Sequence, residues 1–343
     1  MNNLTDSACL LEVVRDEHGT CRLSWPPSLS VAPVRVFAAG HAGALNFAQP
    51  AAVATGACTL SGVGAPGYFV LQLADGRTVH AAPRHHAFEG STNLRDAGGY
   101  ATRDGRRVRW GRLYRSGHLS SLSSAAREAF AALGIRTVCD FRLASERAGE
   151  QAEIPGDPRM ETLGVPPGKA DQHFFHRLFE TTDDPARVAR ELEAILRLYV
   201  RDFAAHYARM FEVLLTAEDE PVLLNCSAGK ERTGVGVTLL LLALGVPRET
   251  ARHEFLLSAR YFPAQRELPR VLRKYAVPNR DEATLTRLVG PLLETHESYA
   301  EAVFGALAEA MEEAGGENEF FARQLGLDTA RRAALVAKFT QAV

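Results

Sequence analysis

Cysteine is scarce in this chain: there are five in 343 residues, an odd number spread from Cys9 to Cys226. So few, so scattered, cannot staple a disulfide scaffold, and the reading is a reducing, cytoplasmic setting. Long apolar runs are missing too. The longest, VTLLLLALGV at 237–246, is too short to cross a bilayer. The opening MNNLTDSACLLEVVRDEHG has neither the basic start nor the apolar centre of a secretory signal, so no stable membrane anchor is expected. No excess of one charge exists either. The net charge is -2, whereas nucleic-acid binders carry a basic surplus, so that partner class is set aside. His173 and His176 stand without cysteine or carboxylate at ligand spacing, so neither a metal nor a cofactor is expected. What is present is an ordinary soluble composition, 46% hydrophobic and 23% charged, at a length that suits two domains.

Residues 1–86 differ from the rest. ACLLEVV and CRLSW flank the turn-like RDEHGT, VRVFAAG is a further short strand, and GYFVLQL and VHAA flank Asp75-Gly76. Paired apolar runs with an Asp-Gly turn and no helical period predict a small all-β sandwich. With Trp25 in an early strand and Tyr68-Phe69 in a late one, the module resembles fibronectin type III or immunoglobulin-like domains. A module of that kind implies a protein partner.

From residue 87 to 343 strands and helices alternate, which predicts an α/β domain with a central sheet flanked by helices. SSAAREAFAALGI reads as an amphipathic helix ending at Gly134, IRTVCDF as a strand, and 185–216 as sustained helix. PVLLNC reads as a buried strand, and the chain after 247 as helix almost throughout.

Between PVLLNC and VGVTLLLLALG lies SAGKERTG, 227–234. A phosphate monoester hydrolase that uses no metal needs an ionised nucleophile, donors for three phosphoryl oxygens and a proton for the leaving group. Cys226 stands where the strand ends and a helix starts around Arg232; a thiol at a helix N-terminus has its pKa lowered. The peptide N–H groups of Ser227, Ala228, Gly229, Lys230 and onward to Gly234 can curl round an anion, with Gly229 and Gly234 permitting the tight backbone. Arg232, six residues after the cysteine, can grip two oxygens in a fork. The Thr233 hydroxyl can hydrogen-bond the sulfur. Cys9 and Arg15 share the same spacing, but CLLEVVR reads as a strand, contains no glycine and opens no helix.

The whole string NCSAGKERTG resembles the signature loop of the cysteine-dependent protein tyrosine phosphatase superfamily. NLRDAGGY at 93–100, LYRSGHLSSLS at 113–123 and LGIRTVCDFR at 133–142 resemble, in the same order, its atypical bacterial branch, whose members act on phosphotyrosine, phosphoserine/threonine and phosphoinositides. The resemblance implies a phosphocysteine intermediate, with Arg95 and Asp96 packing beside the pocket. It also implies that Lys230 meets ring phosphates of inositol lipids and that helices within 166–200 form a lid. In some relatives a cysteine placed like Cys139 pairs reversibly with the nucleophile. Two residues depart from the pattern: Asn225 replaces the usual histidine, and Glu231 the usual aspartate. They keep open a phosphate-binding pseudophosphatase, beside a phosphatase of inositol phosphates. A rhodanese-like sulfur transferase fits the gap to Arg232 less well. WPP at 25–27 lacks the aspartate of the mobile acid loop, which leaves Glu231, Asp140 and Asp96 as proton-donor candidates. An orienting ion pair with Arg232, Arg142 or Arg95 is the plainer role of each, and more so for Asp96. The sequence does not choose between Glu231 and Asp140.

Overall fold

The computed structural model describes residues 11–342 except 17, 152–153, 167–172 and 279. Cys9, most of MNNLTDSACLL and the 167–172 part of the expected lid therefore lie outside the described residues.

Among the described residues seven short strands come first: β1 (Glu12–Arg15), β2 (Cys21–Ser24), β3 (Val34–Ala39), β4 (Ala52–Ala54), β5 (Ala57–Leu60), β6 (Tyr68–Gln72) and β7 (Thr78–Ala81). They form two antiparallel sheets, ordered β1-β2-β5 and β4-β3-β6-β7. Strand side chains alternate between faces, so every second residue can point at the opposite sheet. Val13, Cys21 and Leu23 from the first sheet thus share one core with Val34, Val36, Phe69 and Leu71 from the second, beside Trp25. The β6–β7 turn falls at Asp75-Gly76, with Gly76 at φ +87°, the conformation that glycine tolerates. Strands β4 and β5, short and alanine-rich, had no clear signature in the sequence.

Next follow β8 (Arg95–Asp96), β9 (Arg106–Val108), β10 (Leu113–Ser116), α1 (Ser124–Ala131), β11 (Thr137–Asp140), α2 (Ala144–Gly149) and β12 (Arg159–Thr162). Then come α3 (Phe174–Thr181), α4 (Pro185–Arg201), α5 (Ala204–Thr216), β13 (Val222–Asn225) and α6 (Glu231–Ala243). The central sheet has the order β12-β11-β13-β10-β8; only the short β8 runs antiparallel. Both faces are covered, as a parallel sheet requires. Leu113, Cys139, Val222 and Leu224 enter the large core under α4, α5 and α6, while Tyr114, Val138 and Leu223 face α1.

The expected helix of 185–216 is two helices. Asp184 caps α4 through the N–H groups of Ala186 and Arg187, and Pro185 supplies its first position. The helix stops at Asp202, whose N–H and that of Phe203 both reach the Leu198 carbonyl. Likewise α1 ends at Ala131, three residues before the left-handed Gly134.

The remainder is α7 (Arg248–Leu256), α8 (Ser258–Tyr261), α9 (Ala264–Lys274), α10 (Glu282–Leu293), α11 (Glu297–Ala314), α12 (Glu317–Leu325) and α13 (Thr329–Phe339), closed by β14 (Thr340–Ala342), which pairs with β9. Among the described residues no helix is long and apolar enough to cross a membrane.

The two-sheet part packs directly on the α/β part. Trp110 joins a cluster with Phe37, Tyr68, Val70 and Ala82, and its indole N–H donates to the His80 carbonyl (3.2 Å). Arg84 lies over the rings of Tyr100 and Trp110 (4.3 and 4.7 Å).

Candidate active site

Strands β10, β11 and β13 end level: Ser116 and Asp140 both flank Asn225 in register. Ligands of open α/β sheets bind at this carboxyl edge. Cys226 follows immediately, is 1% exposed, and starts the loop that runs into α6.

The loop rests on the backbone after β10. A Cβ on Gly229, which has φ +68°, would lie 2.3 Å from the Gly117 nitrogen, and one on Gly117 would lie 2.9 Å from the Ala228 carbonyl carbon. Only glycine permits both the left-handed turn and the close approach. The loop's carbonyls point outward. That of Ser227 accepts from the His118 N–H (3.0 Å), that of Gly229 from Asn93 Nδ2 (2.8 Å) and an Arg115 Nη (2.6 Å), and that of Lys230 from Arg115 (3.2 Å) and the Gly234 N–H (2.6 Å). A trans peptide sets C=O and N–H in opposite directions. The N–H groups of Ala228, Lys230 and Glu231 are thereby turned to the inner side, at the head of α6, where the helix dipole adds to them. The Gly229 N–H donates to the Cys226 sulfur at 3.2 Å.

Arg232 is held at the rim. Its two Nη atoms meet the two Glu146 carboxylate oxygens at 2.7 and 2.9 Å, and one also donates to the Val165 and Phe141 carbonyls (3.1 and 3.3 Å). Burial raises the Glu146 pKa, but the Arg232 charge and hydrogen bonds outweigh it and hold the carboxyl well below its ordinary range. Tyr207 donates to the Arg232 carbonyl (3.1 Å). Beyond Glu146, Glu150 accepts from the Ser227 hydroxyl (3.2 Å) and pairs with Arg270; Lys274 reaches Ser227 (3.1 Å) and Glu146 (3.3 Å). Glu146 on α2 and Glu150 just past its end thus face Arg270 and Lys274 on α9.

A cavity of about 70 Å³ sits over the loop, lined by Ser227, Ala228, Glu231 and Arg232 below. Phe175, Tyr199, Phe262 and Tyr275 are among the residues that roof it. Phe175 belongs to α3 and Leu192 and Tyr199 to α4, inside the span expected as a lid.

The other expected residues fall elsewhere. Asp140 is fully buried and does not line the cavity: Arg142 clasps both its oxygens at 2.8 to 3.1 Å. Glu231 does line it, 18% exposed, with an oxygen 3.4 Å from Lys230 Nζ. Lys230 itself reaches away, donating to the carbonyls of Leu292 and Glu294 (2.8 and 2.7 Å) at the end of α10. Arg95 and Asp96 lie buried behind the loop rather than in the cavity. Asp96 accepts from the N–H groups of Gly98 and Gly111 (2.7 and 2.6 Å), and burial pushes its carboxyl up to about 7. Thr233 Oγ1 and Asn225 Oδ1 are buried with no hydrogen-bond partner, so the hydroxyl does not bond the sulfur here. Cys139 is fully buried on β11, and burial raises its thiol to about 12. No group of three or more His, Cys, Asp or Glu among the described residues is placed to hold a metal ion.

Sequence reasoning missed Glu146, Glu150, Arg270 and Lys274, whose i, i+4 spacing is visible but whose helix faces are not. It also missed Asn93 and Arg115, although both stand inside the quoted motifs.

A loop between a central strand and a helix, headed by Cys226, with inward N–H groups and a clamped arginine, forms a candidate anion site at the carboxyl edge of the sheet. Residues 86–341 match the family model described as the tyrosine phosphatase family, and the chain belongs to that family. A Cupriavidus necator protein named as a candidate tyrosine-protein phosphatase is 35% identical over 228 residues, 64% of this chain and 78% of that one. A tyrosine-protein phosphatase of Nostoc commune is 28% identical over 44% of this chain and 49% of its own length. The triple specificity protein phosphatase PtpB of Mycobacterium tuberculosis is 30% identical over 49% of this chain and 67% of its own length. This chain is a phosphatase of the protein-tyrosine-phosphatase kind.

Proposed function

We propose that the chain hydrolyses phosphate monoesters through a phosphocysteine intermediate, without a metal, and that phosphotyrosine is its main substrate. The observation that carries this reading is the cradle: the Gly229 N–H lies 3.2 Å from the Cys226 sulfur, and Arg232 is held beside it by Glu146. The Cys226 thiolate attacks phosphorus and the bond to the leaving oxygen breaks. Arg232 and the loop N–H groups bind the equatorial oxygens. Glu231, the one of the two main carboxylate candidates that lines the cavity, donates its proton to the leaving oxygen. Water then attacks phosphorus, Glu231 takes a proton from it, and the sulfur–phosphorus bond breaks to release phosphate and the thiolate. Asp140 serves as an orienting partner of Arg142.

The aromatic roof of Phe175, Tyr199, Phe262 and Tyr275 favours an aryl leaving group over a hydrated inositol ring, and Lys230 is committed to two carbonyls. Dual-specificity and phosphoinositide activity are the secondary readings; a specificity broader than phosphotyrosine is supported by the words triple specificity in the name of PtpB. The test is hydrolysis of para-nitrophenyl phosphate in EDTA by the wild type and Cys226→Ser, followed by a panel of phosphotyrosyl and phosphoseryl peptides and phosphoinositides. Turnover lost in the variant is expected. Binding of phosphate without turnover would favour the pseudophosphatase instead.

We also read residues 1–86 as a separate module with fibronectin type III-like connectivity. The sheet orders β1-β2-β5 and β4-β3-β6-β7 support that reading. We propose contact with a protein partner as its role, in a cytoplasmic enzyme whose catalytic domain spans 87–343.

A further inference from the structure

Behind the loop, on the side away from the cavity, lies a cluster of charge that the chemistry above does not use. Arg95 and Arg115 are completely buried and Glu254, on α7, is 1% exposed. Buried charges are costly unless paired and fully hydrogen-bonded, so such a group persists only where its geometry is over-determined. Here it is. Glu254 Oε1 accepts from Arg95 Nε (3.1 Å) and Arg115 Nη (3.2 Å), and Oε2 accepts from the Tyr100 hydroxyl (2.8 Å). A second Arg95 Nη donates to the Glu254 carbonyl (3.0 Å), and the Ser258 hydroxyl oxygen accepts from Asn93 and Arg95 (3.3 Å each). Arg95 also donates to Asn93 Oδ1, which fixes the orientation of that amide.

The whole cluster converges on one carbonyl. Asn93 Nδ2 and one Arg115 Nη both donate to the Gly229 oxygen, and the same Nη reaches the Lys230 oxygen, while the other Nη holds Glu254. Pinning those two oxygens outward aims the N–H groups of Lys230 and Glu231 inward, by the geometry of the trans peptide. Donors aimed in advance at developing charge cost no reorganisation during the reaction.

We propose that Asn93 and Arg115, locked by Arg95, Glu254 and Tyr100, are positioning residues that preset the phosphate cradle. They touch neither substrate nor sulfur; they act through the orientation of two loop peptides. The proposal rests on the reading of the loop as a phosphate site but not on turnover.

The test measures inorganic phosphate affinity by calorimetry, and kcat and KM on para-nitrophenyl phosphate, for Arg115→Met, Arg115→Lys and Asn93→Gly. Asn93 has φ +53°, which glycine accepts, so that variant deletes the amide without straining the backbone. In folded protein, Arg115→Met is expected to weaken phosphate binding and lower kcat by about tenfold or more, Asn93→Gly by severalfold, and Arg115→Lys to recover part of the loss. Wild-type phosphate affinity and kcat in folded Asn93→Gly or Arg115→Met, with only the melting temperature lowered, would overturn the proposal. Should Arg115→Met not fold, Asn93→Gly and Arg115→Lys decide. A wild type that binds phosphate without turnover defeats the proposed reaction alone, and the affinities still decide the positioning role. A wild type that binds no phosphate overturns both.

Discussion

Glu146 holds Arg232 through two parallel hydrogen bonds of 2.7 and 2.9 Å, from a helix that begins four residues after β11 ends. The guanidinium is thereby fixed before any phosphate arrives, with both side chains nearly excluded from water. Such a fork gives orientation as well as attraction.

Glu146→Gln is expected to lower kcat/KM on an aryl phosphate by about tenfold to a hundredfold, because Arg232 loses its orienting partner. Stability should fall by about 3 kcal/mol at neutral pH, the cost of leaving a buried charge unpaired. The folded pKa of Glu146 is depressed, so its contribution is present above the ordinary carboxylate value of about 4.3 and is lost as pH falls through the lower folded value. Melting curves of wild type and variant should therefore differ most at neutral pH and converge in strong acid. A gap that stays constant across that range would refute the pairing.

Glu231→Gln should slow hydrolysis of alkyl phosphates, whose leaving oxygen needs a proton, far more than that of a dinitrophenyl ester, whose leaving group does not. Asp140→Asn should instead lower the melting temperature and affect both esters alike, because Asp140 is clasped by Arg142 outside the cavity. The ratio of kcat/KM values on the two esters, which reports steps only up to departure of the leaving group and not the later hydrolysis shared by both, separates the roles. An equal loss on both esters in Glu231→Gln would assign the proton elsewhere.

Lys230→Met should destabilise the protein by about 1.5–3 kcal/mol, the range for hydrogen bonds to a charged group. Its Nζ serves the carbonyls of Leu292 and Glu294, so relative rates on phosphoinositide and aryl phosphate should stay unchanged. A selective loss on the inositol lipid would return Lys230 to the substrate.

Trp110→Ala should cost about 3–5 kcal/mol and speed proteolysis between residues 82 and 93. Trp110 fills a pocket between Phe37, Tyr68, Val70 and Ala82 and anchors the His80 carbonyl. Limited proteolysis with melting curves reads both effects. An unchanged cleavage rate would mean that this contact does not hold the two-sheet part in place.

Cys139→Ser should leave recovery from peroxide unchanged. The Cys139 thiol is fully buried and raised to about 12, so its thiolate is scarce near neutral pH. Slower recovery by thiol reductant in the variant would instead support the disulfide with Cys226.

Much of the site was legible along the chain because it is local. Cys226 through Gly234 form one continuous segment, and a strand before it with a helix after it places the thiol at a helix head whatever surrounds them. The short, largely apolar runs of β6, β11 and β13 likewise report their own burial, since strands covered on both faces carry no polar alternation. Other features had weak local signals. The strands at Ala52–Ala54 and Ala57–Leu60 are held by their neighbours, and β14 exists only because β9 lies beside it.

The sequence by itself determined the cysteine at the strand end, the arginine six residues on, the glycines that let the loop turn, and the alternation of strands and helices that makes an α/β sheet. Tertiary structure alone decided which distant side chains serve that loop. Glu146 comes from 86 residues before Arg232, and Glu254 lies 139 residues beyond Arg115. Lys230 turns to the end of α10 rather than into the cavity. Spacing along one element fixes only which residues share a face. Which charge meets which is settled when separate elements pack and every buried ion must find its partner.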